Sequence, residues 1–136
     1  MGSDKIWLFD TTLRDGGQTR GVDFSRADKV AIAHALDDIG IDYIEAGWPG
    51  ANPTDDAFFA KPPKMKNAKL VSFGMTRRGG RSTANDPGLS AVIDAEVDAS
   101  CLVGKTWDFH VKTALNTTLD ENLEMIRQSL IAAADR

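Results

Sequence analysis

The chain has 136 residues, 42% of them hydrophobic and 26% charged, and a formal net charge of −4 from 16 basic and 20 acidic side chains. That balance is ordinary for a globular domain, and a chain of this length can bury roughly 70% of its unfolded surface. It excludes the basic footprint of a nucleic-acid binder and the polybasic patch or long apolar run of a membrane-bound chain, and the single cysteine, Cys101, excludes an internal disulfide and a cysteine-built zinc site.

Met1-Gly2-Ser3 reads as a cloning remnant, and the N-terminus lacks the basic-then-apolar pattern of a signal peptide, so the chain reads as cytoplasmic. Ile6 to Phe9 is a short apolar run, expected as a strand buried on both faces. Ser25 is placed to cap a helix in which Ile32, Leu36 and Ile39 recur at helical spacing, with Gly40 closing it. Tyr43 to Ala46 reads as the second strand and runs into the turn-rich Gly47–Pro53 loop. A short helix follows over 54–60, ended by Pro62-Pro63.

Lys69 to Phe73 reads as the third strand, with a glycine- and arginine-rich loop over 74–80, and residues 87–95 suit a helix. Ala99 to Val103 is the fourth strand, running into a loop over 104–110. Cys101 within it is expected to be a buried, inert thiol. The last helix opens on Thr118-Leu119-Asp120-Glu121, a capping box, with Leu119, Leu123, Ile126 and Leu130 on one face. His34 falls opposite the apolar residues of its helix and is expected to face solvent.

Strands and helices alternating four times imply a parallel sheet with helical crossovers. All four strand-to-helix loops carry glycines with polar or charged residues, whereas the returns are plain. That asymmetry fits a (β/α)8 barrel, whose site forms at the C-terminal ends of the strands. A full barrel needs roughly 250 residues, so the expected fold class is α/β, about four β/α units forming the N-terminal half of a TIM barrel, with residues 1–136 as one partial domain. No G-x-G-x-x-G follows the first strand, which argues against a doubly wound nucleotide-binding domain.

The densest stretch is Asp10-Thr11-Thr12-Leu13-Arg14-Asp15-Gly16-Gly17-Gln18, set in the first strand-to-helix turn. Two hydroxyls, an Arg-Asp pair and a glutamine exceed what a chain reversal needs, and functional groups concentrate on such loops. The stretch reads as the floor of an active site. Glu45, ending an apolar strand, must be paired or solvated. Arg77 and Arg78 read as a solvated loop pair before a phosphate-binding one.

Asp10 through Gly16 with Gln18 resembles the opening signature of the isopropylmalate, homocitrate and citramalate synthase and hydroxymethylglutaryl-CoA lyase family. Tyr43 to Pro53 with its Trp48-Pro49-Gly50 run, Phe73 to Arg78, and Gly104 to Val111 resemble the citramalate synthase branch. The resemblance implies an acyltransferase in which a divalent metal (Mg, Mn or Zn) polarises an α-keto acid, pyruvate being favoured. The enolate of acetyl-CoA attacks that carbonyl, and thioester hydrolysis releases CoA. By motif match it implies Asp15 as a metal ligand, Arg14 over the keto-acid oxygens as a catalytic and substrate-binding group, and Gln18 orienting the substrate. Glu45 would hold Arg14 or contact substrate. A homodimer is implied for the complete protein.

The family completes its metal site with a His-x-His pair on a later strand, and this chain has only His34 and His110. One carboxylate is too few ligands for a catalytic divalent ion. The remaining ligands and the main acid-base groups are therefore expected outside this chain, and 2-isopropylmalate or homocitrate synthesis stays open as an alternative. So does a non-catalytic half-barrel that acts only by association, and the chain alone is expected to be inactive.

Overall fold

The computed structural model describes residues 5–136, so the reading of Met1-Gly2-Ser3 lies outside it. The elements follow in the order β1 (Phe9–Asp10), α1 (Arg26–Asp38), β2 (Tyr43–Gly47), α2 (Pro53–Phe59), β3 (Lys69–Met75), α3 (Pro87–Ile93), β4 (Ala99–Val103), α4 (Asp108–Thr113) and α5 (Leu119–Ala134). The four strands form one sheet, all neighbours parallel, in the order β1-β2-β3-β4. Sequential order with no reversal is the order of a barrel wall, since a doubly wound sheet switches direction midway. Among the described residues no helix is long and apolar enough to cross a membrane.

The helices pack because their caps and close approaches are specified locally. Ser25 caps α1 in a reciprocal box with Asp28, and Asn52 and Asp86 cap α2 and α3, each followed by a proline in the first turn. Leu13, Ala33, Ile44, Phe58 and Leu70 form the core where α1 and α2 meet β2 and β3. On the next unit, α3 lies so close to β3 that a Cβ at Gly74 would sit 2.3 Å from Val92 Cγ2. Only glycine permits that approach. Ser72 Oγ donates to the Val92 carbonyl at 2.9 Å, tying strand to helix on the same side.

Three expectations are corrected. Ile6, Trp7, Leu8 and Phe9 are 80, 53, 50 and 48% exposed rather than buried, and β1 is two residues long. The reason is position: β1 is an edge of the sheet, paired only with β2 among the described residues. In α1 the line turned inward is Lys29, Ala33 and Asp37, with Ile32 and Leu36 flanking the core and Ile39 exposed. In α5 it is Asn122, Met125 and Ser129, while Leu119, Leu123 and Leu130 are exposed. Hydrogen bonds set that rotation: Asn122 Nδ2 donates to the Lys105 carbonyl at 2.9 Å and Ser129 Oγ accepts from Arg77 N at 2.8 Å.

Residues 108–113, expected within or after a loop, form the short helix α4, and His34 is exposed as expected. Thr118 caps α5 by accepting from Glu121 N at 3.1 Å. The Glu121 carboxylate does not turn back to close the box but takes the Arg77 guanidinium at 2.8 Å.

Asp37 shows how a buried charge is made tolerable. Its carboxylate accepts from the backbone N–H groups of Lys66, Asn67 and Ala68 at 2.6, 2.9 and 2.7 Å, joining the end of α1 to the entry of β3. The Lys66 and Ala68 N–H bonds, foremost, hold the carboxyl below the usual carboxylate range. A depressed folded-state pKa gives stability that is present above the unfolded value of about 3.9 and is lost as pH falls through the folded one. Urea unfolding over about pH 3 to 6 should therefore show an acid loss of stability that Asp37→Asn flattens. An unchanged slope in the variant would show that Asp37 is not its source.

Candidate active site

The turn after β1 is built to aim Arg14. Asp10 Oδ1 accepts from Thr12 N at 2.9 Å, and the N–H groups of Arg14, Asp15 and Gly16 converge on the Thr11 carbonyl at 3.1, 2.8 and 3.2 Å. Gly16–Gln18 then continues as a single 3₁₀ turn. Leu13 anchors this loop in the core at 1% exposure. With Leu13 held inside, Arg14 is directed across the C-terminal ends of the strands.

There Arg14 Nε donates to Glu45 Oε2 at 2.7 Å and Nη1 to Asp15 Oδ1 at 3.1 Å. The guanidinium carbon lies 4.0 Å from the centroid of the Phe73 ring, and the Trp48 ring meets Phe73 edge-on at 5.4 Å. Glu45 is buried at 1% exposure, which a carboxylate tolerates only when paired. Arg14 Nη2 makes no hydrogen bond among the described residues, so part of the guanidinium's donor fork stays available.

The structure thus brings Arg14, Asp15 and Glu45 together. Gln18 shares the wall of a cavity of about 220 Å³ with Arg14, Lys29, Trp48 and Asp55, and it makes no side-chain hydrogen bond to Arg14. Cys101 stands in register with Phe73, close to Glu45, and is half-buried rather than fully buried. Burial, and next the Glu45 charge, push its thiol up, so it stays protonated and unreactive at neutral pH.

Beyond Trp48 lies a larger cavity of about 620 Å³, walled by Met75, Leu89, Leu115 and Met125 with Asn116 and residues 78–80. Arg77 borders it but is no solvated loop residue. It is 4% exposed, bonded to Gln128 Oε1 at 2.7 Å and to Glu121 Oε1 at 2.8 Å, and it acts as a strut between the β3–α3 loop and α5. Arg78 is exposed, as expected, and its backbone N–H donates to Asp86 Oδ2 at 2.7 Å.

Asp15 is the open carboxylate of the group, its side chain 62% exposed. It is a hard oxygen donor, as a divalent cation requires. Among the described residues, however, no group of three His, Cys, Asp or Glu side chains could hold a metal, and Glu45 is engaged by Arg14. Asp15 by itself could supply one ligand and does not make a metal centre.

Sequence reasoning missed Phe73 and Trp48 as the wall behind Arg14 and missed Lys29 and Asp55 beneath them. Lys29 carried one usable signal. It is four residues before Ala33 and eight before Asp37, so a charged residue sits on the face that α1 turns inward.

The family model described as HMGL-like matches residues 5–136. The chain is 52% identical over 130 residues to the (R)-citramalate synthase of Aquifex aeolicus, covering 94% of this chain and 25% of that protein. It is 53% identical over 127 residues to the (R)-citramalate synthase of Geobacter sulfurreducens, covering 92% and 24%. The chain therefore spans about a quarter of the length of these relatives. The crystal structure of HMG-CoA lyase from Bacillus subtilis superposes with a TM-score of 0.70 at 19% identity, over 96% of this chain and 43% of that one. Its barrel accounts for the open parallel sheet seen here as part of a larger closed wall.

Proposed function

The chain belongs to the HMGL-like family, and from that premise we propose that it supplies part of the active site of an acyltransferase that condenses acetyl-CoA with pyruvate to give citramalate. The observation that carries this reading is the Arg14 guanidinium, held 4.0 Å over the Phe73 ring and bonded by Glu45 at the strand ends with donors to spare. A planar fork of that kind suits two oxygens of a small α-keto acid, its carboxylate and its carbonyl.

In the reaction, the methyl carbon of acetyl-CoA gives up a proton, and the resulting enolate forms a carbon–carbon bond to the keto carbon. The carbonyl electrons move to oxygen as an alkoxide, which takes a proton, and water then cleaves the thioester to release CoA. Negative charge grows on the oxygen beside Arg14, and a donor fixed there beforehand stabilises the transition state more than the ground state. Glu45 keeps the guanidinium in place without competing for the exposed donors. Phe73 and Trp48 exclude water from one side, which strengthens that interaction. Gln18, on the same cavity wall, orients the substrate. A divalent cation would add Lewis-acid polarisation of the carbonyl, with Asp15 as one oxygen ligand and the others outside this chain. The larger cavity beyond Trp48 offers room for the thioester cosubstrate.

The test is CoA release by the complete protein over a panel of α-keto acids. Pyruvate is expected to be turned over with the highest kcat/KM. Preference for 2-oxoisovalerate or 2-oxoglutarate would replace citramalate with isopropylmalate or homocitrate as the product. No release with any of them would favour a half-barrel that acts by association.

A further inference from the structure

Beneath the Arg14 site lies a buried ion pair that the mechanism above does not use. Lys29, on α1, is 5% exposed, and Asp55, in the first turn of α2, is 6% exposed. Lys29 Nζ donates to the Asp55 carboxylate and to the Ala46 carbonyl, the latter at 2.9 Å. On its other oxygen Asp55 accepts from Trp48 N at 2.9 Å and from Asn52 Nδ2 at 3.0 Å. The pair thus grips both ends of the β2–α2 loop and the Ala46 carbonyl of β2.

The loop has been shaped around this carboxylate. Gly47 has φ +154°, and a Cβ there would stand 2.6 Å from the Asp55 carboxyl carbon. Trp48, whose N–H Asp55 holds, is the residue whose ring abuts Phe73, and Phe73 is the surface on which the Arg14 guanidinium rests. Lys29, Asp55, Trp48 and Arg14 also line one cavity, so the chain of contacts runs along a single wall.

Resting on the keto-acid reading above, we propose that Lys29 is a positioning residue for that substrate: through Asp55 it fixes Trp48, and Trp48 holds Phe73 in place beneath Arg14. A buried charge pair is weak evidence for stability, because apolar replacements of similar volume often serve as well. It is a stronger device for selecting one geometry. Asp55 uses both oxygens, one for the ammonium and one for the loop, and an amide offers a single acceptor oxygen. Asp55→Asn must therefore drop one of the two sides.

The experiment uses two readouts. Trp7 and Trp107 are 53% and 56% exposed, and in the complete protein they and any tryptophan outside these 136 residues are replaced by Phe, leaving Trp48 as the only indole. In that background Lys29→Met and Asp55→Asn should each raise acrylamide quenching of Trp48 about twofold or more, with far-UV circular dichroism retained. In the complete protein the same two variants should raise KM for pyruvate about tenfold while KM for acetyl-CoA stays near wild type. Folded variants with unchanged quenching and unchanged pyruvate KM would overturn the proposal. So would failure of both variants to fold, which would make the pair a folding element only. If the wild-type complete protein does not turn over pyruvate, the keto-acid reading fails on its own, and Trp48 quenching still decides whether Lys29 positions this wall.

Discussion

Arg14→Met is expected to destabilise the fold by about 3–5 kcal/mol, although the residue it removes stands at the rim of the sheet. The cost comes from what is left behind. The Glu45 side chain is 2% exposed and its hydrogen-bonded cation is Arg14 Nε, 2.7 Å away. Methionine keeps most of the aliphatic stem and removes the guanidinium that bonds Glu45 and lies over Phe73. Asp15, 62% exposed, is solvated either way and adds little. Glu45→Gln should cost less, because Arg14 keeps Asp15 and water as partners with its side chain 19% exposed. The double variant should be more stable than Arg14→Met alone, since no uncompensated charge remains buried. Urea unfolding at neutral pH measures all three. Effects that add within about 0.5 kcal/mol would show that the two side chains are not coupled.

The second large effect is on catalysis. In the complete protein Arg14→Lys is expected to lower kcat by about 10²–10³-fold, the usual loss when one preorganised donor to a developing oxyanion is removed. Lysine keeps the charge but not the shape. An ammonium cannot bond Glu45, cover the Phe73 ring and still present a planar pair of N–H groups to the substrate. The loss should fall on kcat and on KM for the keto acid, with KM for acetyl-CoA little changed. A lysine variant within a few-fold of wild type would mean that only positive charge is required there.

Much of the architecture could be read before any coordinates because its signals are local. The apolar runs at Tyr43–Ala46, Lys69–Phe73 and Ala99–Val103 lie inside the strands observed, and Ser25 and Thr118 cap the helices that they precede. Arg14 and Asp15 stood out because polar groups crowd a turn that needs only glycines, and Glu45 because a carboxylate that ends an apolar strand must be paired or solvated. What escaped depends on partners far apart in the chain. Apolar runs report the wish to be buried, and Ile6–Phe9 lacks a neighbour on its outer edge among the described residues. Periodicity placed the leucines of α5 on one apolar face, whereas Arg77, Lys105 and their bonds to Ser129 and Asn122 turned the other side inward. The Lys29–Asp55 pair spans 26 positions and joins two helices, so neither residue announces the other.

On the reaction proposed above, the keto acid lies on the Arg14 guanidinium. A calorimetric pyruvate titration of the complete protein, wild type beside Arg14→Lys, tests it most directly. Saturable binding in the wild type that weakens about tenfold or more in the variant is the result that the Arg14–Glu45–Phe73 geometry predicts. Equal affinity in the two proteins would contradict it and place the substrate elsewhere on the rim.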